Sequence, residues 1–420
     1  MTRGGLRAAA LKIVDAGLGA VAPERLVAKD LRSREVRSRI EKATRVFVVA
    51  VGKAAIPMAQ AAHHVLADHI NSAILIAPSK AGRLPRTRNF AAGHPIPNAA
   101  GARAAAAVIR MLEETQRGNV VLLLLSGGAS ALMPAPIRGV SLREKQRLTR
   151  LLMHRGATIA EMNAVRKQLS RLKGGGFARL AAPARVITLA LSDVPGDDPA
   201  VIGSGPTVED PGAAVLARRT IRRLLEDSEI TPGLARVLGQ PKARAGRVPA
   251  TLTRVIGCGR TSAVAAAKKA RELGFGAFLG IGDLRGEART CGPRIVERFL
   301  ASSRRGARCL IATGETVVKV RGRGRGGRNQ ELALSAAPAL ARGGRPLVLA
   351  AFATDGVDGN SAAAGGIVDD RTEAKARARG VSIPEALDRN DSTTALKRLG
   401  ALLVTGPTQT NVADLTVLLG

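Results

Sequence analysis

The chain has 420 residues, of which 45% are hydrophobic, so it is long enough for two or three globular domains and too apolar to be largely disordered. Its formal net charge of +32 favours polyanionic or phosphorylated partners, although a GC-rich genome would give the same excess of Arg and Ala. With no Trp, no Tyr and seven Phe, it has few aromatic platforms on which nucleic-acid bases stack. Charge alone therefore supports an RNA-binding protein, and the aromatic content argues against one.

The cysteines and the N-terminal segment indicate where the protein works. Cys258, Cys291 and Cys309 form no close pair and no metal-ligand spacing, which suits a reducing cytoplasm. The start of the chain is basic and Ala-rich like a transit peptide, but apolar residues at helical spacing from Leu6 to Leu18 predict an ordinary first helix. No apolar run reaches the roughly 20 residues that a membrane span needs. We therefore expect a cytoplasmic protein.

Short apolar runs alternate with longer helical patterns, which predicts a layered α/β fold. A Gly- and Pro-containing stretch near Gln240–Pro249 is typical of a linker. We therefore predict two α/β domains, at residues 1–240 and 250–420. The predicted strands are Arg45–Val51, Ala73–Ala77, Val120–Leu125, Val186–Leu191, Thr253–Ile256, Gly276–Ile281, Cys309–Ala312, Val317–Val320, Leu347–Phe352 and Ala401–Val404.

The first turn with functional character follows the first strand, where Gly52 and Lys53 precede an Ala-rich helical stretch. This edge, at the carboxyl ends of the strands, is where open α/β sheets bind ligands. A cation is unfavourable at the start of a helix, so a lysine there indicates a phosphate that offsets its charge. A solvated surface lysine is the alternative.

A second Gly-rich turn, Ser126–Ser130, follows the apolar run Val120–Leu125, which is typical of a buried parallel strand. Glycines let the backbone approach a ligand closely, and free N–H groups at a helix start attract anions. The turn lacks the lysine of a P-loop. It predicts an anion cradle, with an ordinary tight turn as the alternative.

Two more charged segments lie in the first half. Arg166 and Lys167 precede the glycine triplet Gly174–Gly176 and add cations near a predicted turn. Asp193 directly follows the strand Val186–Leu191. Carboxylates at this edge are suited to hold Mg²⁺ beside phosphate oxygens, or they serve as turn and cap residues.

The stretch Val318–Leu332 alternates arginines with glycines, as disordered RNA-binding tails do. Here, however, it lies between a predicted strand and an apolar helix that begins near Asn329. Its glycines would allow the backbone to present N–H groups, and its arginines supply planar forks for phosphate or carboxylate. We therefore predict a folded anion loop. Its residues are Arg321, Gly322, Arg323, Gly324, Arg325, Gly326, Gly327 and Arg328.

Acidic and polar turns follow the later strands. Asp355 and Asp358 come just after a buried strand, and Asp355 is a candidate ligand for a metal or a hydroxyl group, with Asp-Gly turn chemistry as the alternative. A polar turn lies at Asn390–Ser392. Another, Thr405–Asn411, follows the strand Ala401–Val404 and is expected to precede a helix.

With these motifs, the chain resembles the glycerate 2-kinases of the MOFRL type, which are often labelled hydroxypyruvate reductases. The motifs run from Val51 to Asn411 in the family's order and are highly specific as a set. They are VGKAA, GHPIPNAAG, LLSGGASAL, EMNAVRKQLSRLKGGG, LSDVPGDDPAVIGSGPT, GRGRGGRNQE, TDGVDG, NDS and LLVTGPTQTN.

The resemblance implies transfer of a phosphoryl group from ATP to the 2-hydroxyl of D-glycerate, with Mg²⁺. It implies a Rossmann-like N-terminal α/β domain and a C-terminal α/β domain with a MOFRL-type region at about 305–420, with the active site in the cleft between them. The lysine and the arginine that are held to be catalytic in the family correspond to Lys53 and to either Arg325 or Arg328, between which the resemblance does not choose.

Roles for the remaining residues follow from phosphoryl transfer, which needs positioning and charge neutralisation more than covalent chemistry. Asp193, with Asp355 as a second candidate, would hold Mg²⁺, and Asp193 would otherwise accept the hydroxyl proton. The expected partners are D-glycerate and ATP, with no membrane and no specific nucleic acid, and a homodimer is left open. The residues expected to bind the nucleotide are Ser126, Gly127, Gly128, Ala129, Gly324, Gly326, Gly327, Thr408 and Asn411.

The chain departs from the family's pattern mainly in its second half. Ala362 replaces an acid of the TDGxDGPTDAAG segment, Thr393 replaces the aromatic residue of NDSYxFF, and Gln409 replaces a glycine of TGPTGTNVND. These changes bear on hydroxyl or metal contacts, so another hydroxy acid is an alternative substrate.

An NAD(P)H-dependent hydroxypyruvate reductase is the alternative enzyme. It would need GxGxxG after a strand, with an acid about 20 residues later. That glycine spacing occurs from Gly322 to Gly327, where Glu331 follows far too soon and arginines intervene. The kinase is therefore favoured over the reductase and over a basic RNA-binding protein.

Overall fold

The structure is a computed structural model that describes residues 2–239, 248–249, 251–302 and 306–420. Most of the predicted linker, Gln240–Arg247, lies outside the described residues. The chain divides into two compact units: Pro23–Ile256, here called the N-unit, and Met1–Ala22 with Gly257–Gly420, here called the C-unit.

The described residues form helices and strands in alternation, as predicted. The helices are α1 Arg3–Gly19, α2 Pro23–Leu31, α3 Arg34–Glu41, α4 Ala55–Leu66, α5 Ala99–Glu113, α6 Ala129–Leu132, α7 Leu142–His154, α8 Ile159–Gln168, α9 Gly176–Ala181, α10 Ala213–Leu224, α11 Pro232–Gly239, α12 Gly259–Glu272, α13 Ala288–Ala301, α14 Arg328–Arg342, α15 Thr372–Ala378, α16 Ile383–Asp388 and α17 Ser392–Leu399. The strands are β1 Val46–Val51, β2 Ile70–Ala77, β3 Thr87–Ala91, β4 Val120–Leu125, β5 Arg185–Leu191, β6 Leu252–Gly257, β7 Gly276–Leu284, β8 Arg308–Gly314, β9 Val348–Ala353, β10 Gly365–Asp369, β11 Leu402–Leu403 and β12 Asp414–Leu419.

The sheet of the N-unit has the strand order β3-β2-β1-β4-β5-β6. The pairs from β3 to β5 are parallel. This is the strand order of a Rossmann-type doubly wound sheet, in which the order reverses between β1 and β4. Both faces are buried: Val49 and Leu123 lie in the cluster with α5 and α9, and Leu122 on the opposite face is also inaccessible. The predicted fold class is confirmed for this unit.

The sheet of the C-unit has the order β11-β10-β9-β12-β8-β7. The pair β7–β8 is parallel, and the other pairs are antiparallel. Helices α1 and α12 cover one face, and α13 and α14 cover the other. This unit is therefore also a layered α/β structure, as predicted. Among the helices of the described residues, none combines the length and hydropathy that crossing a bilayer requires.

Two predicted elements were wrong. Val317–Val320 is not a strand: Val317 makes an isolated bridge to Glu287, and Val320 is 77% exposed. The segment after Thr405–Asn411, predicted as helical, is β12, whose six residues are all buried between β9 and β8. A short apolar run buried on both faces has no periodicity that separates a strand from a helix. Sequence patterns also missed β3 and β10.

The division of the chain differs from the predicted boundaries of 1–240 and 250–420. Helix α1 packs with the C-unit through Leu6, Ala10 and Val14, although it was expected in the first domain. The strand β6, expected to open the second domain, adds to the sheet of the N-unit. Strand β6 begins soon after the predicted linker, so the N-unit continues beyond the predicted boundary.

Gly17 tests the packing of α1. A Cβ at this position would lie 2.9 Å from Cδ2 of Leu415 and 3.0 Å from Oγ of Ser262. We expect Gly17→Val to lower the free energy of unfolding by about 1–3 kcal/mol, because overpacking forces neighbours to shift. Gly19→Ala is the control: its Cβ would meet nothing within 4 Å, so stability should hold or rise slightly. Equal urea midpoints for wild type and Gly17→Val would contradict this packing.

Candidate functional site

Two turns meet at the carboxyl ends of β1 and β4. The N–H of Lys53 donates to the carbonyl oxygen of Gly127 at 2.8 Å, and the N–H of Ser126 donates to the carbonyl oxygen of Val51 at 3.0 Å. In doubly wound sheets, ligands bind in the crevice at the point where the strand order reverses. The structure therefore brings together two of the predicted site segments at the position where this fold binds ligands.

The side chain of Ser126 joins the two turns. Its Oγ is buried and accepts a hydrogen bond from the N–H of Ala54 at 3.1 Å. Gly52 has φ 133°, and a Cβ there would collide with Ser126 Oγ. The Ser126 hydroxyl is thus used within the protein. The donors that remain in the turn include the N–H groups of Gly127 and Gly128, for which the described residues provide no acceptor.

Lys53 and His94 both lie against Gly128. A Cβ at Gly128, which has φ 85°, would lie 2.9 Å from His94 Cδ2 and 3.5 Å from Lys53 Cγ. Lys53 is half-buried and His94 is exposed. A cationic side chain, an imidazole and two backbone donors therefore border one patch. Sequence reasoning gave His94 no role of its own, because a single His within GHPIPNAAG has no diagnostic spacing.

Asp193 lies at the same edge of the sheet. It follows β5, which pairs with β4, and it is half-buried. The other proposed metal ligand, Asp355, belongs to the C-unit. No group of three or more His, Cys, Asp or Glu suited to a metal occurs among the residues that the structure describes. The metal assignment therefore stays a prediction.

In the C-unit, the arginine loop (residues 321–328) is held by side chains from two other turns. Asn390 Oδ1 accepts from the N–H groups of Arg321 at 2.7 Å and Gly322 at 2.9 Å. Asp391 Oδ1 accepts from the N–H of Arg325 at 3.0 Å. Asn360 Oδ1 accepts from that of Gly326 at 2.8 Å. These N–H groups were expected to face a ligand, and the structure instead uses them to fix the loop.

The glycines of the loop permit close packing. A Cβ at Gly324 would lie 2.5 Å from Asp391 Cβ, and one at Gly327 would collide with Asp358. At Gly326 a Cβ would collide with the hydroxyl of Ser392. The N–H of Gly324 donates to the carbonyl oxygen of Arg389 at 2.9 Å. The glycine spacing thus reflects contact with the turns at 358–360 and 389–392.

The two candidate arginines have different surroundings. Arg328 donates to Asp414 through Nε at 2.5 Å and through a terminal nitrogen at 3.0 Å, and it contacts Glu315 at 2.7 Å. Burial alone would lower the pKa of Arg328, but the hydrogen bonds and charge of Asp414 raise it overall. The side chain of Arg325 is exposed. Arg328 is therefore engaged inside the C-unit, and Arg325 is accessible.

Asp358 anchors the start of α14, next to the loop. Its carboxylate accepts from the N–H of Asn329 at 3.1 Å and from that of Gln330 at 2.8 Å. Burial raises the pKa of Asp358 to about 6, against the opposing effect of these hydrogen bonds. Acids are favourable at helix starts, so Asp358 positions the end of the arginine loop.

The remaining predicted residues of the C-unit form a second turn cluster. Asp355 Oδ1 accepts from the N–H of Val357 at 3.2 Å, which is the Asp-Gly turn chemistry given as the alternative. The carbonyl oxygen of Asp355 accepts from the N–H of Thr408 at 3.2 Å, and the Thr408 hydroxyl donates to the carbonyl oxygen of Thr354. Asn411, which follows Thr408 closely in the sequence, is buried. The structure thus joins the turns of Asp355 and Thr408.

Thr393, one of the residues that depart from the family pattern, forms hydrogen bonds in the structure. Thr393 Oγ1 donates to Gln330 Oε1 at 2.6 Å, and the Thr393 N–H donates to the carbonyl oxygen of Arg325 at 2.9 Å. Thr393 therefore supports the loop through a hydroxyl. Gln409, in place of a glycine, has φ 61°, a conformation that favours glycine. Nothing in the structure explains Ala362.

Residues 9–239 match a domain of unknown function, DUF4147, and residues 308–414 match the MOFRL family. A D-glycerate 2-kinase of Thermotoga maritima is 40% identical over 98% of each chain. An Agrobacterium vitis protein, provisionally named a hydroxypyruvate reductase, is 38% identical over 89% of this chain and 99% of its own. The crystal structure of glycerate kinase from Thermotoga maritima superimposes with a TM-score of 0.88 at 39% identity, covering 99% of each chain.

The two units, their sheets and the two matched regions define a two-domain α/β protein with a MOFRL region, as the sequence predicted. The identity over nearly the whole chain then shows that it belongs to the glycerate 2-kinase family.

Arg328 provides a stability test. We expect Arg328→Met to lower the free energy of unfolding by about 3–5 kcal/mol, because it leaves the carboxylate of Asp414, 1% exposed, buried without its partner. Arg325→Ala is the matched control and should change stability by less than about 0.5 kcal/mol, because its side chain is exposed. Urea unfolding measures both. Similar losses in the two variants would show that the Asp414 pair does not stabilise the C-unit.

Proposed function

We propose that this chain is a glycerate 2-kinase that transfers the γ-phosphoryl group of ATP to the 2-hydroxyl of D-glycerate, giving 2-phosphoglycerate and ADP. The observation that carries the proposal is the 40% identity to a D-glycerate 2-kinase over 98% of both chains. The chemistry of the two turns at the end of β1 and β4 supports it, because phosphoryl transfer needs cations and preorganised donors.

In the N-unit, the proposed anion cradle is the turn that contains Gly127 and Gly128. Its two N–H groups and the neighbouring ammonium group of Lys53 offset the negative charge of a phosphoryl group. Because these donors belong to two hydrogen-bonded turns, they need little rearrangement when charge develops in the transition state. His94, beside the same glycine, adds a further polar group.

The residues at this edge offer Mg²⁺ the carboxylate of Asp193. Mg²⁺ is commonly held by one or two carboxylates together with substrate phosphates and water, so a site to which the protein supplies one carboxylate after β5 is compatible with it. Asp193 would hold the ion, which would supply charge neutralisation at the phosphate oxygens. Asp355, whose carboxylate accepts from the N–H of Val357, is the second candidate.

In the C-unit, we propose Arg325 rather than Arg328 as the arginine that contacts substrate. Arg328 is held by Asp414 and Glu315, whereas the backbone of Arg325 is fixed by Asp391 and Thr393 and its side chain remains exposed. A fixed backbone with an accessible guanidinium suits charge neutralisation in phosphoryl transfer. Gly324, Gly326 and Gly327 contribute by allowing this packing. Nucleotide contacts from Thr408 and Asn411 stay a prediction.

The hydroxypyruvate reductase remains the less favoured activity. The strand order of the N-unit is shared with dinucleotide-binding proteins, but their first turn carries three spaced glycines. Here the turn after β1 has Gly52 and then Lys53, Ala54 and Ala55. We also propose that the enzyme works in the cytoplasm, where reducing conditions suit its three unpaired cysteines.

The activity is tested by incubating the purified chain with ATP, Mg²⁺ and D-glycerate and separating 2- from 3-phosphoglycerate. We expect ADP release that depends on glycerate and 2-phosphoglycerate as the product. A parallel incubation with hydroxypyruvate and NADPH should show no oxidation of the nicotinamide. A folded protein that forms neither phosphoglycerate would overturn the proposed function, and a 3-phosphoglycerate product would overturn its regiochemistry.

Lys53 and Arg325 are tested by substitution. We expect Lys53→Ala and Arg325→Ala each to lower kcat/KM by about 100-fold or more at unchanged Tm, because each removes a charge that stabilises the transition state. Arg389→Ala is the matched control: its side chain is 73% exposed and its carbonyl oxygen, not its guanidinium, holds the loop. Full activity in Arg325→Ala together with loss in Arg389→Ala would refute the assignment.

A further inference from the structure

A group of cations lies behind the Gly128 turn and has no role in the function proposed so far. Lys145 on α7, Arg166 on α8 and Lys173 before α9 form this group, here called the cation cluster. Lys145 is 5% exposed and Lys173 is 2% exposed, while Arg166 is half-buried. The burial of Lys173 calls for an explanation, because lysine is almost never fully buried unless it is paired.

The three cations are close enough to affect one another. Burial lowers the pKa of Lys173 well below its usual range, and the positive charges of Lys145 and Arg166 lower it further. Lys145 and Arg166 also line one small cavity, with Leu148, Thr149 and Met162. The cluster therefore brings three basic groups together where water has little access, and a bound anion would favour the protonated form of Lys173.

The hydrogen bonds of the cluster link it to the proposed phosphate turn. Lys173 Nζ donates to the carbonyl oxygen of Ser130 at 3.1 Å, two residues after Gly128. The backbone around Lys173 is fixed, because the N–H of Gly174 donates to the carbonyl oxygen of Ser204 at 3.1 Å. Ser204 Oγ in turn lies 3.1 Å from Ser130 Oγ. Lys173 is thus held against the turn rather than extended into solvent.

The acids on the neighbouring elements are engaged elsewhere. Asp210 pairs with Lys167, Glu161 pairs with Arg223, and Glu144 accepts from the hydroxyl of Thr231. Within the part of the chain that the structure describes, no carboxylate forms an ion pair with Arg166 or Lys173. Buried charges are normally paired with an opposite charge, because removing them from water is costly.

We propose that the cation cluster is a subsite for an oxyanion, with Lys173 and Arg166 as its binding residues. The oxyanion is either the carboxylate of the hydroxy acid or a phosphate group of the nucleotide, since both present the same kind of acceptor oxygens. The inference rests on the proposed function, because the subsite adjoins the turn assigned to phosphoryl transfer. The anion supplies the negative charge that the neighbouring acids do not.

The first experiment measures Tm with and without inorganic phosphate, ADP or D-glycerate. We expect at least one of them to raise the Tm of the wild type by about 2 °C or more, and Lys173→Met to lose most of that rise. Without anion, Lys173→Met should be as stable as the wild type or more so, because the cost of burying a basic group beside two others is gone. A rise with D-glycerate alone identifies the carboxylate, and a rise with phosphate or ADP alone identifies the phosphate.

Lys167→Met is the matched control. Lys167 is equally buried, at 3% exposure, but is paired with Asp210. This variant should be less stable without anion and should keep the anion-dependent rise. If Lys173→Met does not fold, Arg166→Gln takes its place with the same expectation. A rise that persists in the Lys173 or Arg166 variant, or the absence of any rise in the wild type, overturns the proposal.

Kinetics separate this inference from the proposed function. If the wild type makes 2-phosphoglycerate, Lys173→Met should raise KM for the substrate whose anion gave the Tm rise by about 10-fold or more, and KM for the other substrate should change little. If the wild type makes no phosphoglycerate but the Tm rise depends on Lys173, the subsite stands and the kinase assignment fails. If the kinase is active and Lys173→Met keeps both KM values, only the subsite fails.

Discussion

The approach of the β1 turn to the β4 turn is the contact on which the proposed chemistry depends. Gly52 brings the backbone so near to Ser126 that a side chain could not be accommodated, and the Ser126 hydroxyl then holds the N–H of Ala54. This contact places Lys53 beside Gly128 and leaves two N–H groups of the turn as donors. The Ser126 hydroxyl is therefore used to fix the shape of the turn rather than to contact a ligand.

The arginine loop of the C-unit follows a related principle with different residues. Its backbone donors are satisfied by Asn390, Asp391 and Asn360, and its glycines let those residues approach. A loop fixed in this way loses little conformational entropy when it meets an anion, because its backbone is already ordered. Its positive charge is then carried by side chains, not by the N–H groups.

Features that depend on residues adjacent in the sequence were predicted, and contacts between residues far apart in the sequence were not. Lys53 and the Ser126 turn were found because continuous apolar runs fixed the ends of β1 and β4, and parallel strands end at one edge. The partners of the arginine loop were not found, because Asn390 lies 68 residues beyond Gly322 and no local pattern records that contact. The choice between Arg325 and Arg328 likewise required Asp414, 86 residues from Arg328. The pattern-based assignment of β12 failed since a run buried on both faces lacks periodicity.

The placement of α1 with residues 257–420 has a consequence for biosynthesis. The N-unit is one continuous stretch inserted into the C-unit, and it is complete before most of the C-unit has been translated. In the C-unit, by contrast, α1 is synthesised first, whereas β12, which lies between β9 and β8 in the sheet, is synthesised last. Because domains generally fold as units during synthesis, the N-unit can fold while the apolar face of α1 still lacks the strands and helix of the C-unit against which it packs. The apolar face of the first helix therefore waits for its packing partners longer than any other part of the described chain.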